Sequence, residues 1–262
     1  MKKFSVVVFS VLLLFASCEI FCETSGSKGQ SKSKIFSGTK KSNSNSGLKK
    51  MSLTSKYKRE EIDTTIWDLS VLDTARDVDY MDEIEKDIVL EMNMARTNPK
   101  KYAELYIEPR TKKFNGKLYG GNLQTVEGVA VVNECIKFMN SQKALQPLVP
   151  SKGLTKAAKD HADTQSLTGE IGHNGTDGSD PFTRMKRYGT YTTAGENISY
   201  GSKTAREIVV TLLIDDGVKS RGHRKNILSK DFKTTGIGFA DNHKKYGCEC
   251  VLDFAGDYTE KE

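Results

Sequence analysis

The chain has 262 residues, 37% apolar and 28% charged, ordinary globular values that permit a packed core. Its net charge of +6 is uneven: residues 1–61 hold twelve Lys or Arg against four Glu, which leaves the remainder near −2. The basicity belongs to the N-terminal tail, so the rest of the chain lacks the positive excess that nucleic-acid binding needs.

Met1-Lys2-Lys3 followed by the apolar run Phe4 to Ala16 has the charged and hydrophobic regions of a secretory signal, and the run is too short to span a bilayer. Ala16 at the third position before the bond places cleavage after Cys18, giving a signal peptide over 1–18 and an exported chain. Phe15-Ala16-Ser17-Cys18 is also close to a bacterial lipobox, with Phe where Leu is usual, and on that reading Cys18 is a lipid anchor. Residues 19–79 form a basic linker. From Thr24 to about Lys58 it is Ser, Lys, Gly and Asn with almost no apolar residue, so burial cannot offset the entropy of ordering it. Its lysines suit a weak, screened contact with an acidic membrane or glycan. No internal repeat is present.

The folded region begins near Tyr80. Ile84, Ile88, Val89 and Met92 recur at helical spacing, and Pro99 ends that helix after Ala95-Arg96-Thr97-Asn98. A second helix follows Thr125, with Val132, Cys135, Ile136 and Met139 on one stripe. A third runs from about Lys152 to Leu167, where Leu154, Ala157, Ala158 and His161 make a narrow face of small residues that permits close packing. Thr204-Ala-Arg-Glu207 fits a capping box that opens a fourth helix, with Ile208, Val209, Leu212 and Leu213 inward. Strand-like segments lie at Ala194 to Tyr200, Thr234 to Ala240 and Cys248 to Phe254, with Asp241-Asn242-His243-Lys244-Lys245 as a hairpin turn. The pattern predicts one α+β domain over 80–258, a small antiparallel sheet covered on both faces by helices, and a tail at 259–262.

Gly172-His-Asn-Gly, Ala194-Gly-Glu-Asn-Ile, Gly222-His-Arg-Lys-Asn-Ile-Leu and Asp231-Phe through Gly236-Ile-Gly occur in that order. The set resembles the CAP superfamily: cysteine-rich secretory proteins, antigen 5 and pathogenesis-related 1 proteins. Ala95-Arg-Thr-Asn-Pro, Asp215-Asp-Gly-Val and Ser220-Arg-Gly-His-Arg are similar to its microbial and protist branch. The resemblance covers roughly Tyr80 to Tyr258. It implies an α-β-α sandwich with a cleft holding two His and two acids, which fall on His173, Glu196 and His223, with Asp215 as the fourth. A Glu is common at that fourth position in the family, and Asp216 competes for it.

The chemistry of these residues stands beside the resemblance. Two neutral imidazoles can each give one nitrogen to Zn²⁺ or a similar ion while carboxylates accept the opposite ring N–H. His173 and His223 are therefore the expected metal ligands, in a site left half open and able to function without the ion. General acid and base work by His173 or His223 with Glu196 is the alternative. No Ser or Cys stands in a recognisable nucleophile context, and no His-Glu-x-x-His occurs.

Among the other candidates, His161 reads as a hydrogen-bonded core histidine and His243, in its polar turn, as exposed. Asn174 and Asn197 match the glycosylation sequon beside the cleft. Arg221, Arg224 and Lys225 form a basic rim, solvated or able to hold phosphate or acidic lipid. Cys135 on its inward stripe can meet Cys248 or Cys250, which share a strand face, so export predicts one core disulfide; Cys22 remains in the linker. The reading is a secreted CAP-domain binding or interaction module with a metal-capable cleft. The resemblance implies a range of roles, among them host interaction, defence, binding of a sterol or fatty acid, and proteolysis, and does not single out a ligand. The alternative is a metal-assisted extracellular hydrolase, protease-like, that works through His173, Glu196 and His223.

Overall fold

A computed structural model describes residues 57–262. The expected signal peptide, the lipobox-like segment and most of the expected linker lie outside the described residues. The linker boundary at residue 79 is corrected, because the packed structure reaches back to Tyr57. Trp67, Leu72 and Ala75 are all buried in the main core, and the Trp67 ring packs on Tyr102 and Tyr106 with centroids 6.4 and 6.5 Å away. A segment this short carries too few apolar residues to show a period, yet one large ring anchors it. Its single helical turn, α1 (Leu69–Leu72), is capped by Asp68, which accepts from Ser70 N–H.

Helix α2 (Glu83–Thr97) starts where the Glu85 carboxylate accepts the Asp82 backbone N–H, and it ends at Asn98, whose side chain caps α3 (Pro99–Tyr102). Irregular helical turns over 103–113 lead to three two-residue strands, β1 (Phe114–Asn115), β2 (Leu118–Tyr119) and β3 (Leu123–Gln124). Then come α4 (Val129–Ser141), β4 (Val149–Pro150) and α5 (Lys152–Thr168), the last closed by Gly169 in the left-handed conformation. Helix α6 (Pro181–Tyr188) follows, with Asp180 as N-cap, then β5 (Gly189–Thr190) and β6 (Thr193–Tyr200). The order closes with α7 (Ala205–Ile214), α8 (Gly222–Ile227), β7 (Thr234–Ala240), β8 (Glu249–Gly256) and β9 (Thr259–Glu260). None of the described helices is long and apolar enough to cross a membrane.

The central sheet has the order β4-β7-β8-β6. All its pairings are antiparallel except β4 with β7, so the sheet is mixed at that end. Ile237, Cys250, Leu252 and Phe254 face the core shared with α2 and α7. Val251 and Ala255 face the other way, toward Ala158 and Ala157 of α5. On that side the helix and β7 touch backbone to backbone: a Cβ on Gly236 would lie 2.1 Å from Leu154 C, and one on Gly238 2.5 Å from Ala158 C. The small face of α5 and the Gly-Ile-Gly of β7 are thus two halves of one contact, and the layers are α-β-α.

Four further expectations change. Residues Thr259–Glu260 pair with β5, and Glu260 Oε1 accepts from Ser151 Oγ and Gly153 N–H, so the chain beyond Tyr258 is tied down. The reciprocal half of the expected box at Thr204 is absent: Glu207 instead binds the Arg110 guanidinium at 2.7 and 3.0 Å. His243 is buried, with Nε2–H donating to Glu170 O and Nδ1 accepting from the backbone N–H groups of Lys245 and Tyr246. Finally, Cys135, Cys248 and Cys250 are free thiols. Cys135 Sγ points to Leu213 O of α7 and Cys248 Sγ to Ser202 O, so a shared preference for the interior does not bring any two together.

Candidate functional site

Every residue of β6 is buried, and alternation sends Ala194, Glu196, Ile198 and Tyr200 to the α5 side. A carboxylate in that position needs donors. The first comes from the loop after α5, which is pinned at Gly172. Tyr200 Oη accepts Gly172 N–H at 2.9 Å, and Gly172 O accepts from His161 Nε2–H at 2.9 Å and Gln165 Nε2 at 2.6 Å. Gly172 takes φ 102, which favours glycine and turns the next residue inward. His173 Nδ1–H then donates to Glu196 Oε1 at 2.7 Å.

The second donor is Arg184 of α6, almost fully buried, whose Nη2 binds Glu196 Oε2 at 2.6 Å. Its Nη1 donates to the carbonyls of His173 and Ser179, so one guanidinium ties the His173 loop to the acid. Sequence reasoning missed Arg184 and its helix. Asp180-Pro181, an N-cap followed by proline in the first turn, is the signal that marks the start. Burial alone would raise the Glu196 pKa, but the His173 ring N–H and the Arg184 charge outweigh it and hold the carboxyl below the ordinary carboxylate range.

The other pair forms where α7 ends. Asp215 has φ 60, the left-handed conformation that Asp tolerates better than most residues. Its Oδ1 accepts His223 Nδ1–H at 2.6 Å, and Oδ2 accepts the His223 backbone N–H at 3.0 Å. Asp216 points elsewhere, accepting Val126 N–H and Glu127 N–H at 2.7 and 2.8 Å, which separates the two competing acids by geometry. The two pairs are fastened side by side: Asn197 Nδ2 donates to His223 O, and Asn226 Nδ2 donates to Asn197 Oδ1 and Glu196 O. Asn197 is fully buried in this role, as a folded-state sequon would not be.

The expected basic rim is engaged internally. Arg221 pairs with Glu127 and Glu134, and Arg224, itself buried, pairs with Glu134. Of the three residues, only Lys225 is exposed. His161 lies in the core, as its face suggested. A cavity of about 420 Å³ lies elsewhere, lined by Lys58, Arg59, Glu60, Glu61 and Arg206.

In both pairs a carboxylate takes Nδ1–H, so in each neutral ring Nε2 is the unprotonated nitrogen, the one whose chemistry suits a metal ion or a proton. This donor chemistry fits a divalent ion held by two imidazoles. Among the described residues no group of three or more His, Cys, Asp or Glu converges as a metal site, so remaining ligands would come from water or a bound molecule.

The model of the CAP cysteine-rich secretory protein family matches residues 92–254. The chain belongs to the CAP family. The chain is 34% identical over 112 residues to the uncharacterized protein YkwD of Bacillus subtilis, a match covering 42% of each chain. The chain thus spans about two-fifths of that relative's length. Among solved structures it is similar to an extracellular SCP-domain protein from Bacillus anthracis (TM-score 0.37, 19% identity, covering 49% of this chain and 38% of that one). It is also similar to an outer surface protein from Borrelia burgdorferi (TM-score 0.36, 18% identity, 48% and 86% covered). The CAP motifs sit where the strands and loops deliver them: the Gly-Glu-Asn on β6, the two histidines in the turns before α6 and at the start of α8.

Proposed function

We propose that this protein is a secreted binding module whose CAP cleft takes a divalent ion such as Zn²⁺ through Nε2 of His173 and His223. The observation that carries the reading is the matched pair of carboxylate contacts at Nδ1, His173 with Glu196 and His223 with Asp215, which sets the same tautomer in both rings, with Nε2 the unprotonated nitrogen. Secretion is supported by the Lys2-Lys3 and apolar run at the N-terminus.

When bound, the ion would polarise a ligand oxygen or lower the pKa of a bound water. The chain's own residues orient the two rings, hold their Nδ1 protons and neutralise Glu196 through Arg184. The same geometry supports a second reading, hydrolysis with an Nε2 atom as general base. Titration calorimetry with Zn²⁺ tests the first. One site per chain is expected, lost in His173→Ala and in His223→Ala, and weakening on acidification because only a neutral imidazole ligates. Equal binding by wild type and His173→Ala overturns the shared site. Turnover of a peptide or ester substrate that disappears in Glu196→Gln selects the second reading.

A further inference from the structure

The sequence motifs leave Asp253 of β8 without a task, and its surroundings give it one. In the β6–β8 ladder Asp253 stands directly opposite Glu196, on the same face of the sheet. It is fully buried, and no N–H or O–H donor reaches either of its carboxyl oxygens. The polar side chain it does meet is Glu196, itself an acceptor at both oxygens toward His173 and Arg184. Two carboxyl groups facing each other away from water cannot both be ionised, and a contact between two acceptors is stable only with a proton between them. Glu196 has the cation and the ring N–H, so the proton resides on the other partner.

We propose that Asp253 is a positioning residue of the cleft: it stays a neutral carboxylic acid and donates its proton to the Glu196 carboxylate, fixing the plane in which Glu196 receives His173 Nδ1–H. Every element packed around it agrees with this assignment. Helix α6 contributes Arg184 and the loop contributes His173, both bonded to Glu196, while α5 contributes His161, whose Nε2–H goes to Gly172 O, and Tyr258 gives its O–H to Met185 O. Strand β7 contributes only Gly236 opposite Asp253. On β8 itself the nearest acid on the same face is Glu249, which adds no donor for Asp253. Burial first, and the Glu196 charge second, push the Asp253 pKa well above the ordinary carboxyl range, with Arg184 and His173 opposing. The result is a chain of three donors on one carboxylate: an acid, a guanidinium and an imidazole, which together leave Glu196 little freedom to rotate.

The proposal concerns the metal-free protein and stands or falls separately from ion binding. Protein labelled with ¹³C at the Asp carboxyl carbons is measured across neutral pH by NMR and isotope-edited infrared spectroscopy. One Asp signal should keep the shift and the carbonyl stretch of a neutral acid, and Asp253→Asn should remove it. The Nδ1–H resonance of His173, identified by its loss in His173→Gln, provides the second readout. It should persist in Asp253→Asn, which keeps a donor, and broaden or vanish in Asp253→Ala, which does not. An ionised Asp253 in the labelled wild type overturns the assignment, as does a His173 Nδ1–H signal unchanged in Asp253→Ala. The wild-type spectrum decides the protonation even if the alanine variant fails to fold.

Discussion

One carboxylate, Asp215, binds both the ring and the backbone of His223, through Oδ1 at 2.6 Å and Oδ2 at 3.0 Å. It does so from a left-handed residue at the last turn of α7, so the end of one helix sets the first turn of the next. Asp215→Asn keeps the backbone conformation and loses the charged acceptor. Zinc affinity is expected to fall about 10 to 100-fold in calorimetry, the range for removing a ligand's orienting partner. Asp216→Asn, which frees only the Val126 and Glu127 amides, should leave that affinity unchanged.

A chain beginning at Tyr57 keeps every described buried group and should melt with the full-length protein. One beginning at Tyr80 removes Trp67, Leu72 and Ala75 from the core, and Asn93 loses Leu72 O and Thr74 Oγ1 as acceptors. Loss of one large buried side chain costs about 2–5 kcal/mol, so denaturant unfolding should show at least that difference between the two fragments.

The thiols make a chemical prediction. Burial raises the pKa of Cys135 to about 12 and puts that of Cys250 well above the ordinary range. Mass spectrometry of the unreduced protein should find Cys135, Cys248 and Cys250 free. A thiol-reactive dye should modify Cys135 and Cys250 only after denaturation. A bridge between any two of the three contradicts the structure.

Glu249 sets a pH dependence. Its carboxyl is buried, neither oxygen has a donor, and burial followed by the Glu196 charge lifts its pKa to about 9. An unfolded Glu titrates near an ordinary value of about 4.3. Between these two values the folded chain holds a proton that the unfolded chain has released, so stability present at low pH is lost as pH rises through the window. Glu249→Gln, neutral at every pH, should flatten this fall. Relative to wild type it should gain roughly 1–3 kcal/mol between pH 5 and pH 8.5 in chemical denaturation.

Periodicity shows the four longer helices because each has an apolar stripe that the fold uses unchanged. The small residues of α5 and the Gly-Ile-Gly of β7 are both visible in the sequence, and what joins them is steric: neither can face anything bulkier. His173, Glu196 and His223 stand out because glycines flank them. Asp215 could be told from Asp216 only by the backbone, since one φ angle decides which of two adjacent acids meets the ring. Arg184 stayed hidden because α6 has only eight residues, too few for a clear apolar stripe. His243 misled for a related reason. A polar turn looks exposed, yet Tyr200 and Tyr246 wall it in and local backbone groups satisfy both ring nitrogens. The cysteines erred in the other direction, since inward-facing stripes say nothing about which layer each thiol enters.

Strand β6 is the outermost strand on its side of the sheet, yet none of its residues is exposed. A bare margin of this kind invites pairing with a strand from another molecule. Here the side-chain amide of Asn226 donates to Glu196 O, at a place where an incoming strand would supply its own N–H, and α8 lies alongside. The helix that presents His223 is therefore also a guard rail: variants that loosen it would uncover a sticky border, and self-association, rather than lost chemistry, would be the first sign of damage there.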